Sequence, residues 1–218
     1  ENIPKKDKFD FEAITLKEDT FHLFGSGSTS KREKRIIYNL DSKKTEEKEL
    51  SNLYKKLKEN HSIADDELNI EGALFCNENW LLFQRGNGAN SKNGVFKIKS
   101  LEAECYTQLV EVSLPKIKHV ETSFTDAILV EDKIYFLATA EDTTSTYDDG
   151  EIFGSIIGRM DSKTFKIEFA QKISDTQKFE GLTLYKKTET EIQFLICEDN
   201  DSDVLETNIY QLTLNKIN

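Results

Sequence analysis

One four-residue phrase recurs along the chain at nearly even intervals, and no other feature restricts the fold as strongly. An apolar or small residue is followed by an acid, then Ala or Gly, then an apolar residue. It reads Phe11-Glu12-Ala13-Ile14, Ile70-Glu71-Gly72-Ala73, Thr125-Asp126-Ala127-Ile128 and Phe179-Glu180-Gly181-Leu182, which places the acids 59, 55 and 54 residues apart. Self-similarity at a period of 20–50 residues or slightly more marks tandem structural units. Each phrase leads into a second apolar run: Phe21–Phe24, Trp80–Phe83, Ile134–Leu137 and Ile192–Ile196. These runs are short, aromatic and β-branched, and turn-forming residues bound them, as expected of strands buried on both faces.

A polar loop follows each second run, then a third run at Ile36–Tyr38, Gly94–Ile98, Ser155–Gly158 and Asn208–Leu212. A fourth, more polar run is clearest at Gln108–Leu114 and Phe165–Ala170. Four antiparallel strands repeated in tandem make the blades of a propeller. The expected fold is therefore all-β, a β-propeller with four visible blade-like repeats of about 55 residues forming a single domain over residues 1–218. A β-sandwich is the competing architecture, but it requires no self-similarity. Residues 43–60 (KKTEEKELSNLYKKLKEN) read as a charged helix inserted in a blade, or as a frayed outer strand. The last repeat has no room for a fourth strand after Leu214, and the Lys-rich start with Pro4 is poor strand material. Since exposed edges are usually avoided, the ring is expected to continue upstream with a further segment or blade.

The net charge of −11 sets phosphate polyanions and anionic bilayers against the chain, so nucleic acid and membrane are not expected partners. No stretch approaches the roughly 20 apolar residues that span a bilayer. Cys76, Cys105 and Cys197 match no zinc spacing, and their odd number fits reduced thiols and a cytoplasmic location.

Blade geometry predicts that the starts of the first strands gather at one channel mouth, with Glu12, Glu71, Asp126 and Glu180 around it. Carboxylates crowded together need compensating cations, protons or Arg and Lys partners. All-oxygen ligands suit Ca²⁺, so these four acids are candidate metal ligands. Alternatively, each acid caps backbone amides of a neighbouring blade and holds the ring together. Loop residues Glu141 and Glu198 join the candidate ligand-binding set, with His119 on an interblade loop. Arg85 is either an anion-binding group over the channel or a salt-bridge partner of Glu71.

Asp199, Asp201 and Asp203 alternate as in a calcium loop. Val204 and Tyr210 stand where an EF-hand needs Gly and Glu, which leaves a simple carboxylate loop or a solvated hairpin tip. Asp148 and Asp149 form a weaker acidic run. Gly25-Ser26-Gly27-Ser28 and Gly86-Asn87-Gly88 could cradle an anion with backbone amides or serve as plain turns, and neither has the lysine and helix of a P-loop. His22, His61 and His119 form no triad or metal spacing.

The phrases at Glu12, Glu71 and Glu180, the Gly-Ser-Gly-Ser turn at 25–28 and the Phe-Gln-Arg-Gly-Asn turn at 83–87 resemble a bacterial propeller family. That family is related to esterase-like and phytase-like propellers and, distantly, to calcium-dependent apyrases. The resemblance implies a channel Ca²⁺ held first by Glu71 and Glu180, with Glu12 and Asp126 next. Ala13 and Ala127 depart from its signature Gly. The function expected is a ligand- or cation-binding propeller with an acidic channel mouth, acting as a metal-assisted hydrolase of phosphorylated or esterified small molecules. The alternative is a non-catalytic scaffold that presents its loops to a protein partner, and a lactonase-type enzyme comes third.

Overall fold

The computed structural model describes residues 9–88, 90, 92–102, 105–143, 150–199 and 206–216. Its strands form four antiparallel sheets in chain order. Sheet 1 contains β1 (Phe11–Lys17), β2 (Thr20–Gly25), β3 (Lys34–Asn39) and β4 (Thr45–Glu49). Helix α1 (Ser51–His61) leads to sheet 2, which is β5 (Ile70–Cys76), β6 (Asn79–Gln84), β7 (Gly94–Ile98) and β8 (Thr107–Glu111). Sheet 3 has a two-residue β9 (Lys116–Ile117), then β10 (Val120–Val130), β11 (Lys133–Asp142), β12 (Glu151–Asp161) and β13 (Ile167–Lys172). Sheet 4 is β14 (Lys178–Lys187), β15 (Glu191–Asp199) and β16 (Ile209–Asn215). Each sheet is a meander of sequential neighbours, and the fold is the β-propeller that the repeat predicts. The last sheet has three strands among the described residues, as the short final repeat implies.

The chain divides into two compact units, the first built on sheets 1 and 2 and the second on sheets 3 and 4. In the first, Ala13 and Phe24 of sheet 1 share a core with Ile70, Ala73, Trp80, Leu82, Phe96 and Ile98 of sheet 2. In the second, Tyr135, Leu137 and Ile157 of sheet 3 pack with Leu182, Phe194 and Ile196 of sheet 4. Strands β6 and β11 are buried on both faces along almost their whole length, as their unbroken apolar runs predict. Strands β2 and β15 instead alternate in burial, the pattern of a sheet with one face on a core.

The segment 43–60 is both of the things its sequence allows. Thr45–Glu49 is an exposed outer strand, and Ser51–His61 is a helix. Leu53, Tyr54 and Leu57 lie on one helical face and sink into the core of sheets 1 and 2. The Tyr54 hydroxyl is fully buried and donates to the Gly25 carbonyl at 2.9 Å. Burial pushes this phenol far above its ordinary pKa. Gly27, at φ +80°, sits against the same ring, so only a residue without a side chain fits there.

A β-bulge falls in every first strand, near the start of β1, β5 and β14 and midway along β10. The ladder steps from Phe11 to Ala13, from Ile70 to Gly72, from Phe124 to Asp126 and from Phe179 to Gly181. The skipped residues are Glu12, Glu71, Thr125 and Glu180. Three hairpin turns fix this position by length. They are the two-residue turns Glu18-Asp19, Asn77-Glu78 and Glu131-Asp132, closed by Lys17↔Thr20, Cys76↔Asn79 and Val130↔Lys133. Left-handed backbone at Glu18, Asn77, Glu78 and Glu131 gives these turns the twist that hairpins require. Measured from each turn, Asp126 is equivalent to Ala13 and Gly72, and Thr125 is equivalent to Glu12 and Glu71. The repeat therefore aligns one residue earlier in the third sheet than the acid alone indicates.

Cys76 and Cys105 are buried, Cys197 is half-buried, and all three are free thiols. Burial raises the pKa of Cys105 and Cys197. No helix among the described residues is long and apolar enough to cross a membrane.

Candidate functional site

The bulge re-aims the residue it expels from the ladder, and what that residue meets differs from sheet to sheet. Glu71 is 3% exposed, and its Oε1 takes a salt bridge from Arg85 Nη1 at 3.1 Å. Asn69 Nδ2 donates to the same oxygen at 2.9 Å. Asn69 in turn gives its backbone amide to Gln84 Oε1 at 3.0 Å and its carbonyl to the Arg85 amide at 2.8 Å. Gln84 Nε2 closes the network on the Glu67 carbonyl at 2.6 Å and the Arg85 carbonyl at 3.0 Å. Arg85 is thus the salt-bridge partner of Glu71, and the pair is locked by neighbours that are themselves buried.

In the first sheet Glu12 is half-buried at its bulge. The loop that follows β2 is internally committed: the Ser26 amide donates to the Asp10 carbonyl and the Gly27 amide to the Arg32 carbonyl, both at 3.1 Å. Arg32, 3% exposed, forms an ion pair with Asp10 and donates to Ser28 Oγ at 3.0 Å. The Gly-Ser-Gly-Ser segment is therefore a braced turn, with two of its amides already spent. The counterpart turn is braced too, since the Gly86 amide donates to Asn93 Oδ1 at 3.0 Å.

The third sheet departs from the pattern. Its bulge residue is Thr125, whose hydroxyl donates to the Phe179 carbonyl at 2.6 Å. Asp126 is back in the ladder opposite Leu137 and uses both oxygens on backbone amides. Oδ1 accepts from its neighbour Ala127 and Oδ2 from Leu182 of sheet 4, each at 2.7 Å. Asp126 is the blade-to-blade cap. Asp126→Ala leaves the Leu182 amide buried without an acceptor and is expected to cost about 1–3 kcal/mol. Asp126→Asn, which keeps one acceptor oxygen, is expected to cost less. Hydrogen exchange at the Leu182 amide, faster in both variants, checks the assignment.

In the fourth sheet Glu180 is half-buried and pairs with Lys178 at 3.0 Å. Lys178 is 6% exposed. Glu198, at the end of β15, holds Asn208 Nδ2 at 3.3 Å, and its carbonyl accepts from Thr207. Glu141, 7% exposed, accepts the Gly150 amide at 2.8 Å. His119 stacks edge-on against Phe153 at 5.5 Å, in the turn between β9 and β10. Asp201, Asp203, Asp148 and Asp149 lie outside the described residues.

Calcium takes six to eight oxygen ligands. Glu71 faces a guanidinium, and both oxygens of Asp126 face amide hydrogens, so these two do not fit the calcium site that the resemblance implies. Among the described residues no three His, Cys, Asp or Glu side chains gather as a metal site.

Sequence reasoning missed Asn69, Gln84, Thr125 and Lys178. Thr125 had a readable signal, the fixed distance back from each two-residue turn. The others acquire their partners only in the folded chain.

Residues 1–214 match the model of a family described as a family of unknown function, DUF6929. The chain belongs to this family. A comparison with curated proteins found no match. Among solved structures, the DUF6929 chain is similar to an alpha-L-arabinofuranosidase from Clostridium thermocellum, with 13% identity and a TM-score of 0.56, covering 94% of this chain and 68% of that one. It is similar to a GH43_1 enzyme from Xanthomonas citri complexed with xylose, with 9% identity and a TM-score of 0.52, covering 92% and 72%. An endo-arabinase from Bacteroides thetaiotaomicron gives 10% identity and a TM-score of 0.51, covering 97% and 77%. At these identities the likeness is one of fold. The phytase-like and apyrase resemblance drawn from the motifs gains no support from these three structures.

Proposed function

We propose that the chain is a ligand-binding propeller of the hydrolase kind, taking a hydroxyl-rich small molecule beside the bulge of a first strand. The observation that carries this reading is the bulge itself, repeated in four sheets with a carboxylate at three of them. A bulge gives up ladder hydrogen bonds, and such breaks concentrate beside active sites. Glu12 in the first unit and Glu180 in the second are each, within its own unit, the candidate working carboxylate, because both remain partly exposed. Glu71 and Arg85 are fixed scaffold. Carboxylates are the groups that glycosidic cleavage uses as acid, base or nucleophile. The likeness in fold to the arabinofuranosidase, the xylose-bound enzyme and the arabinase supports this choice of substrate class.

Full-length protein titrated with arabino- and xylo-oligosaccharides is expected to bind by calorimetry and to release reducing sugar. Glu12→Gln and Glu180→Gln are expected to lower turnover by about 10²–10⁴-fold while the melting temperature stays near that of the parent. No binding and no release with either series would end this reading. Phosphorylated or esterified substrates processed with a metal are the competing chemistry. Because Arg85 already compensates Glu71, millimolar Ca²⁺ is expected to leave the melting temperature unchanged.

A second reading, a scaffold for a protein partner, has one observation in its favour. Ile14 and Leu16 are 53% and 51% exposed, on the face of sheet 1 that also carries half-buried Phe21, Leu23, Ile36 and Tyr38. An apolar sheet face of this kind is suited to a partner surface.

A further inference from the structure

At the hairpin end of sheet 1, remote along β1 from its bulge, three basic side chains converge on aromatic rings of sheet 2. The His22 ring meets Trp80 edge-on at 4.8 Å. Lys17 Nζ lies 3.9 Å from the Phe75 centroid and 5.6 Å from that of Trp80. Arg35 Cζ lies 6.0 Å from the Trp80 centroid. His22 and its ladder partners Thr15 and Ile37 share one face with Arg35, which pairs with Phe24. In a chain of net charge −11, this is a local concentration of positive charge.

Two polar atoms in the cluster are buried without a hydrogen-bond partner, His22 Nδ1 and Arg35 Nε. His22 as a whole is 8% exposed. An arginine Nε–H can only donate, and a buried donor with no acceptor is rare enough to require an explanation. The charged groups that face His22 are Lys17 from β1 and Arg35 from β3. Among the described residues the carboxylates that act on Arg35 are Glu102, after β7, and Glu46 of β4, which is ion-paired with Lys48. Among the described residues nothing acidic is in hydrogen-bonding reach of the two orphan atoms.

We propose that Lys17, His22 and Arg35 form a binding site for a small oxyanion at the edge of the Trp80 ring, with Arg35 Nε–H and His22 Nδ1–H as its directing donors. The anion supplies the acceptors that both atoms lack and neutralises the charges of Lys17 and Arg35, while Trp80 and Phe75 screen it from water. Burial first, and then Arg35 and Lys17, hold the imidazole down to a pKa of about 4. A bound anion reverses the sign of the field from its surroundings and raises that value.

The test is a titration of the full-length protein with inorganic phosphate and, separately, acetate, against sodium chloride of matched ionic strength. The His22 ring resonances are followed by NMR and assigned with His22→Gln. The expected result is a saturable shift with phosphate or acetate, which separates phosphoryl from carboxylate ligands. The His22 pKa is expected to rise from about 4 toward its ordinary 6.5. Arg35→Gln and Lys17→Gln should each weaken the affinity by about tenfold or more, with near-UV circular dichroism confirming the fold. A response that sodium chloride reproduces, or an affinity that survives both substitutions, would overturn the site and leave buried water as the partner of these donors.

Discussion

Arg85→Ala is expected to destabilise the protein by about 3–5 kcal/mol, the cost of stranding one member of a buried ion pair. Glu71 and Arg85 have side chains only 4% and 5% exposed, so solvent cannot take over. At about 2–4 °C per kcal/mol for a chain of this size, the melting temperature should fall by roughly 6–20 °C. The double variant Glu71→Gln/Arg85→Gln removes both charges and should recover a large part of the loss. Urea midpoints of the three proteins provide the measurement. A midpoint unchanged in Arg85→Ala would show that Glu71 has another source of positive charge. Recovery of that variant by calcium would bring back the metal reading of the first-strand acids.

Gly154→Ala should be at least as damaging, at about 3 kcal/mol or more. Gly154 adopts φ +119°, and a Cβ there would run into the backbone carbonyl of Ser174. No rotamer change relieves a clash with main chain. The adjacent Ser155 is a junction: its Oγ contacts Thr139 Oγ1 at 2.7 Å, donates to the Gln177 carbonyl at 2.8 Å and accepts the Phe179 amide at 3.1 Å. Any backbone shift at Gly154 therefore pulls on the seam between sheets 3 and 4. Gly181→Ala is the control, since a Cβ there meets only the Cys197 side chain, which can turn. Chemical denaturation should rank the glycine variants in that order, and equal midpoints would show that the positive φ is not required.

Most of the architecture was legible because the repeat is written in apolar runs, and these obey strand periodicity wherever a sheet has two covered faces, as in β6 and β11. The alignment failed at Asp126 for a specific reason. Matching residues by chemistry paired an acid with acids, whereas geometry counts positions from the turn, and by that count Thr125 is the equivalent residue. The helix in 43–60 was readable from the spacing of Leu53, Tyr54 and Leu57, although the preceding charged strand looked like part of it. The two-residue β9 gave no pattern at all, being too short to show a period. Asn69 and Gln84 were invisible as functional neighbours. A polar residue beside a strand reads as loop until the fold brings it against Glu71.

Helix α1 changes what counts as a module in this chain. A blade that touches only its neighbours can in principle be duplicated, lost or exchanged as a cassette. Here Leu53, Tyr54 and Leu57 fill space belonging jointly to the first two sheets, so deleting the helix would leave both with a hollow interior. Recombination that cuts between β4 and β5 would therefore not yield a transplantable blade, and the smallest heritable piece at this end of the chain is a pair of sheets with the helix between them.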